Sequence, residues 1–154
     1  MTVLPPDPST LADVEAIRQL KARYFRHIDC GEWNEFEALF TPDATLDGGN
    51  GIRRGASEIR ATVESRLAGV STVHHGHTPE ITVHADGTAD GVWAMQDRLE
   101  WPEQSAEIGA PVGYEGAGHY CDRYVRGDDG AWRIESIQLT RLMTQTLPGG
   151  AARR

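Results

Sequence analysis

Cysteine is scarce in this chain of 154 residues: Cys30 and Cys121 are the only two. Two thiols are too few for a disulfide framework, and their spacing fits no metal-ligand motif. They read as unpaired thiols of a reducing compartment. Cations are also in short supply. Lys and Arg total 15 against 23 Asp and Glu, a formal net charge of −8. A surplus of acid repels phosphate backbones and anionic bilayers, so neither nucleic acid nor a membrane is an expected partner. No apolar run approaches the ~18 residues that span a bilayer. Met1 to Pro8 lacks both the basic region and the apolar core of a signal peptide, so a cytoplasmic location is expected.

Apolar residues make up 39% and charged residues 25%, which suits a globular chain rather than a disordered one. The length fits one domain. Its expected limits are residues 10–145, with a disordered lead-in over 1–9 and a flexible tail over 146–154. Thr10, with Asp13 three positions on, fits a helix start. Leu11, Val14, Ile17, Leu20, Tyr24 and Ile28 then recur at three- and four-residue steps, the stripe of a long amphipathic helix that Gly31 ends. A short helix is expected from Glu35 to Phe40, a small hairpin from Ala44–Asp47 and Ile52–Arg54, and a third helix from Ala56 to Ala68.

The period then changes. Ser71–His84, Thr88–Trp101, Gly113–Arg126 and Ala131–Thr144 are four long strand candidates. Asp86-Gly87 and Gly127 to Gly130 mark turns, and Pro102–Pro111 reads as an acidic loop. Helices first and long strands afterwards predict an α+β fold, with helices packed on one face of a strongly curved antiparallel or mixed sheet. Such a sheet closed by helices would enclose a pocket.

The densest polar feature is His74-His75-Gly76-His77-Thr78-Pro79-Glu80-Ile81. Imidazole changes charge near neutral pH, so three within four residues invite a proton-transfer reading, beside the plainer one of exposed polar strand residues. Strand alternation separates His74 from His75 and His77. Gly76 would let another group approach the backbone. A metal site built on His75, His77 and Glu80 lacks a fourth ligand and the mostly β fold such sites use, so no metal is expected.

Tyr24 falls within the apolar stripe of the first helix, Asp29 lies at its end, and His27 is expected to face solvent. Trp93, Met95, Asp97 and Leu99 share one strand face, and an acid in that company needs a partner. His74 on the neighbouring strand is the expected one, forming a His74–Asp97 acid–base pair. Arg141 follows Leu139 on one face of the last strand, where it could hold a carboxylate or a developing oxyanion. Tyr120, Tyr124, Ile137 and Leu139 are expected on the sheet face away from the helices, where they would call for a partner subunit.

The run Leu20 to Arg26, with Asp29 and Trp33, resembles the first helices of SnoaL-like proteins of the nuclear-transport-factor-2 superfamily. The His74–Ile81 string, Trp93 with Asp97, Gly118 with Tyr120 and Asp122, and Trp132 before Arg141 resemble the bile-acid 7α-dehydratases. The resemblance implies an α+β cone over an apolar pocket. It implies catalytic roles for Tyr24, Asp29, His74, Asp97 and Arg141, with His77, Trp93, Met95 and Tyr120 as pocket residues. It implies removal of water from a hydroxylated, steroid-like enone. His74 would be the base, Tyr24 would bind the enolate oxygen, and a protonated Asp29 would assist. No cofactor is expected, and the partners would be a small hydrophobic substrate and further copies of the chain, as a trimer or dimer. Two alternatives remain open: a ketosteroid-isomerase-like enzyme using Asp29 or Asp97 as its base, and a non-enzymatic binder of small hydrophobic molecules.

Overall fold

The computed structural model describes residues 7–101 and 111–148. Residues 1–6 of the expected lead-in, the greater part of the Pro102–Pro111 loop and the tail beyond 148 lie outside the described residues. Three helices, α1 (Pro8–Cys30), α2 (Trp33–Glu37) and α3 (Ala56–Leu67), pack on a sheet of seven strands. The strands are β1 (Phe40–Asp47), β2 (Ile52–Arg54), β3 (Ser71–Gly76), β4 (Glu80–Val83), β5 (Thr88–Glu100), β6 (Pro111–Arg126) and β7 (Trp132–Pro148). Their order is β2-β1-β7-β6-β5-β3, with β4 also on β5. β1 runs parallel to β7 and every other pair is antiparallel. The result is an α+β fold with helices on one face of a mixed, curved, unclosed sheet. No helix among the described residues is long and apolar enough to cross a membrane.

α1 starts two residues before Thr10. Pro8 opens it, a position where its missing N–H costs no hydrogen bond. Thr10 is therefore not a cap: its hydroxyl donates to the Asp7 carbonyl at 2.8 Å. Gly31 ends the helix at φ +68°, the left-handed conformation glycine adopts freely. Ile17, Leu20, Tyr24 and Ile28 are buried against the sheet, while Leu11 is half exposed. α2 stops at Glu37 instead of Phe40, because Phe40 already pairs with Ile134 as the first residue of β1. The hairpin forms with Thr45 opposite Arg54 and Asp47 opposite Ile52.

The expected strand Ser71–His84 is split. Up to Gly76, which faces Met95, the register is regular; Glu80 then faces Val92, one residue more than the same register requires. The extra residue is a bulge at His77–Pro79. It reverses the parity of the strand. Thr72 and His74 face inward before it, and Ile81 and Val83 pack on the core after it. β7 carries two similar shifts. One lies between Ile134 and Ser136 and turns Ile137, Leu139 and Arg141 toward the helices. Ile137 is accordingly buried in the core with Leu139 packed on it, and Tyr120 and Tyr124 of β6 are buried there too. They do not lie on the face away from the helices, and so give no reason for a partner subunit.

Candidate active site

Between the sheet and α1 and α3 lies a cavity of about 470 Å³. Ile28, Leu46, Val63, Leu99, Ile137 and Leu139 supply much of its apolar wall. Its polar groups include Tyr24 from α1, His74 from β3, Asp97 from β5, Tyr114 and Tyr120 from β6, and Arg141 from β7. Of the five residues expected to be catalytic, four line this cavity. Asp29, the fifth, stands immediately behind His74.

Asp29 is the centre of a hydrogen-bonded cluster. His74 Nδ1 lies 2.7 Å from Asp29 Oδ1, and the His74 backbone N–H donates to Oδ2 at 2.9 Å. The Thr72 hydroxyl donates to Oδ1 at 2.8 Å. Burial pushes the Asp29 carboxyl up. The hydrogen bonds and charge of His74, with that of Thr72, outweigh it and hold the group below the usual carboxylate range. Asp29 is therefore ionised at neutral pH, which leaves it no proton with which to assist an enolate. With Nδ1 engaged, Nε2 is the His74 nitrogen free to act in the cavity. The Phe25 ring lies parallel to the imidazole, centroids 6.4 Å apart. Phe25 also explains Gly76, where a Cβ would stand 2.5 Å from Phe25 Cε2.

Asp97 is not the partner of His74. It faces His74 in the β3–β5 register, but its carboxylate turns to Arg141. Nη1 donates to Oδ1 at 2.8 Å and Nη2 to Oδ2 at 2.5 Å, a two-pronged pair. The Asp97 side chain is almost wholly buried and Arg141 is about one-quarter exposed. The hydrogen bonds it donates to Asp97 hold the Arg141 guanidinium above its usual range. Gly116 on β6 makes room for this pair. A Cβ there would collide with Arg141 Nη1 and lie 2.8 Å from Asp97 Oδ1.

Tyr24 and Tyr120 meet edge to face, centroids 6.0 Å apart. Burial, with the nearby Asp122 charge, pushes the Tyr24 phenol up, and burial does the same to Tyr120. Both stay protonated and can donate.

The remaining expected pocket residues divide. Tyr120 lines the cavity. Trp93 and Met95 are buried but pack behind it, and Trp93 Nε1 donates to the Tyr124 hydroxyl at 3.0 Å. His77 is exposed at the bulge, 3.2 Å from Gln96 Oε1, because it alternates with Val73 and His75 on the face opposite His74. His27, expected in solvent, is buried and pairs through Nδ1 with Glu32 Oε2. Both cysteines are free and exposed. Among the described residues no three of His, Cys, Asp and Glu converge as metal ligands do.

The family model of the SnoaL-like domain matches residues 9–138. The chain belongs to the SnoaL-like family. A probable cyclase of Gibberella zeae is 26% identical to it over 144 residues, 85% of this chain and 92% of the relative. A crystal structure provisionally named scytalone dehydratase, from Novosphingobium aromaticivorans, superposes with a TM-score of 0.77. It covers 93% of both chains at 23% identity. A hexachlorocyclohexane dehydrochlorinase superposes with a TM-score of 0.80 over 97% of this chain and 98% of its own, at 18% identity. At these identities the two structures show that the fold is shared.

This SnoaL-like domain also holds polar residues the sequence reading passed over. Lys21 is wholly buried, with Nζ 2.7 Å from Asp122 Oδ2. Burial lowers its ammonium from the usual lysine value, and Asp122 opposes the shift. The signal was present: Lys21 is four residues after Ile17 and three before Tyr24, within the apolar stripe. Asp122 stands between Tyr120 and Tyr124 on the inward face of β6. Arg66 of α3 also lines the cavity, as do Asp47 at the end of β1 and Gly48 to Asn50 of the β1–β2 turn. Nothing in the periodicity of α3 marks Arg66, which is exposed like its neighbour Ser65.

Proposed function

We propose that this SnoaL-like domain is a lyase that removes water from a hydroxylated, polycyclic, steroid-like enone. One observation carries the reading. The Asp29–His74 pair is locked in one orientation, with Nε2 left free beside a cavity lined by three protonated phenols, Tyr24, Tyr114 and Tyr120. His74 Nε2 takes the proton from the carbon next to the activated carbonyl system, and Asp29 stabilises the resulting imidazolium. Tyr24, with Tyr120 behind it, donates to the carbonyl oxygen as it gains enolate character. Collapse of the enolate expels the hydroxyl, which takes the proton back from His74 and leaves as water. The Asp97–Arg141 pair forms a fixed polar wall, with Arg141 able to contact a polar substituent. The resemblance to bile-acid 7α-dehydratases supports the substrate class. Relatives named cyclase, scytalone dehydratase and dehydrochlorinase support a lyase-type enzyme.

A carboxylate-based isomerase fits less well. Asp29 already accepts three hydrogen bonds and Asp97 two charged ones, so neither carboxylate is free to act as a base. On the resemblance, the proposal includes association into a trimer or dimer; elution as a monomer at micromolar concentration would overturn that part.

Absorbance tests the reaction. Mixed with a 7-hydroxylated 3-oxo-4-ene steroid, the protein should extend the enone to a dienone and shift the absorbance to the red. His74→Ala should abolish the signal. A folded protein that leaves the spectrum unchanged, or a product of unchanged mass, would overturn the dehydratase reading.

A further inference from the structure

Lys21 and Asp122 form an ion pair in which both side chains are fully buried, and no other pair among the described residues is so enclosed. Neither residue lines the substrate cavity. The arrangement around them is specific. Asp122 Oδ2 is held from its own strand by the Tyr124 hydroxyl at 2.6 Å, and Tyr124 in turn accepts the Trp93 indole N–H. Asp122 Oδ1 and Lys21 Nζ make no directed hydrogen bond among the described residues, so the ammonium meets Oδ2 by charge alone, beside the Tyr124 hydroxyl. Lys21 Nζ rests on aromatic faces, 3.9 Å from the Tyr120 centroid, 4.3 Å from that of Tyr24 and 5.3 Å from that of Phe25. Tyr24 and Phe25 belong to its own helix, and Tyr120 and Asp122 to the sheet.

Replacing a buried ion pair with apolar side chains is often neutral or stabilising, so stability alone gives little reason for this one. Geometry gives a better one. Apolar contacts between a helix and a sheet tolerate small slides and rolls. A charge that must meet one oxygen does not, because a displaced ammonium would be left in an apolar wall. The residues that depend on the roll of α1 lie on the same helix. Tyr24 is three residues on. Asp29 is eight residues on, about 12 Å along the axis at ~1.5 Å per residue. Asp29 must meet Thr72 Oγ1, His74 N and His74 Nδ1 at once, all within 2.7–2.9 Å.

We infer that Lys21 and Asp122 are positioning residues: their buried pair fixes the register of α1 on the sheet and so aligns Asp29 and Tyr24 with His74 and Tyr120. This rests on the proposed acid–base role only for its kinetic consequence; the alignment itself can be read without turnover.

The test is the double variant Lys21→Met/Asp122→Leu, which removes both charges and keeps the core filled. Lys21→Met alone would strand the Asp122 charge and is not decisive. The double variant leaves the buried Tyr124 hydroxyl without its acceptor, so its thermal unfolding should remain cooperative at a temperature only modestly below that of the wild type. Proton NMR should show the far-downfield His74 Nδ1–H signal of the wild type shifted or broadened away. On a substrate the wild type turns over, kcat should fall about tenfold or more while KM changes about threefold or less. A folded double variant with the His74 signal unmoved would overturn the inference. So would one that fails to fold, since the pair would then be an ordinary stabilising contact. If the wild type has no activity on the steroid, the NMR result still decides, which separates this inference from the proposed reaction.

Discussion

His74 and Asp97 face each other across the β3–β5 ladder, yet their side chains belong to two different clusters. His74 binds Asp29 of α1, and Asp97 binds Arg141 of β7. The two carboxylates therefore stand in distinct environments. Asp29 is tied to a titratable ring, Asp97 to a permanent cation. One can support proton transfer and the other can fix a wall.

The two aspartates should consequently fail in different ways. Asp29→Asn removes the anion that holds the imidazole and its tautomer, so kcat should fall by about 10²–10⁴ with the fold retained. Asp97→Asn should loosen Arg141 and lower the unfolding temperature, with a smaller loss of kcat. Steady-state kinetics with thermal unfolding would show it. The opposite ranking would return the acid–base role to Asp97.

Acid should weaken the Asp29 cluster. The folded-state value of Asp29 is depressed, so its contribution is fully present above the unfolded value of about 3.9 and is lost as pH falls through the lower folded value. Between pH 7 and 5 the contribution should be constant. Below about pH 4 the wild type should lose stability more steeply than Asp29→Asn, which has no such proton to bind. Parallel acid limbs for the two proteins in thermal melts from pH 7 to 2 would contradict this assignment.

Gly116 should not tolerate even one methyl group. Gly116→Ala pushes against Arg141 and Asp97, and should cost about 1–3 kcal/mol by denaturant unfolding. Gly48→Ala is the control, because its Cβ would meet only Leu46 Cδ2 at 3.9 Å. Its effect should stay within about 0.5 kcal/mol. Equal effects at the two glycines would mean that the Asp97–Arg141 pair moves freely.

His77 gives a prediction of the opposite kind. Its ring is outside the cavity, so His77→Gln should leave kcat and KM within about twofold of wild type, a surface-substitution outcome. A tenfold loss of kcat would bring the bulge into the site.

Much of the site could be read in the sequence, for reasons that can be named. The inward face of β5 shows in its period of two, so Trp93, Met95, Asp97 and Leu99 are all buried as the alternation requires. The apolar stripe of α1 placed Tyr24 within the core in the same way. Partner choice was harder to read. Asp29 lies 45 residues from His74, and only the packing of α1 across β3 brings them together. Periodicity identifies a face but says nothing of which facing element it will meet. Parity was the other limit. The bulge in β7 between Ile134 and Ser136 leaves the strand pattern apparently continuous while reversing its sense, so Ile137 and Leu139 are expected on the outer face although they pack inward. Lys21 and Asp122 were overlooked because charged residues are ordinarily outside; within two apolar stripes they were the exception worth pursuing.

The bulge between Gly76 and Glu80 has an evolutionary corollary. Its inward set changes from even to odd positions, Thr72 and His74 before it, Ile81 and Val83 after. A relative with a regular strand here needs one residue fewer to span the same ladder. Aligned without a gap, core would be matched to surface on one side of the bulge, and true kinship would look weaker than it is. A single-residue gap at His77–Pro79 restores the correspondence, with the histidine of the pair and the apolar anchors both in place.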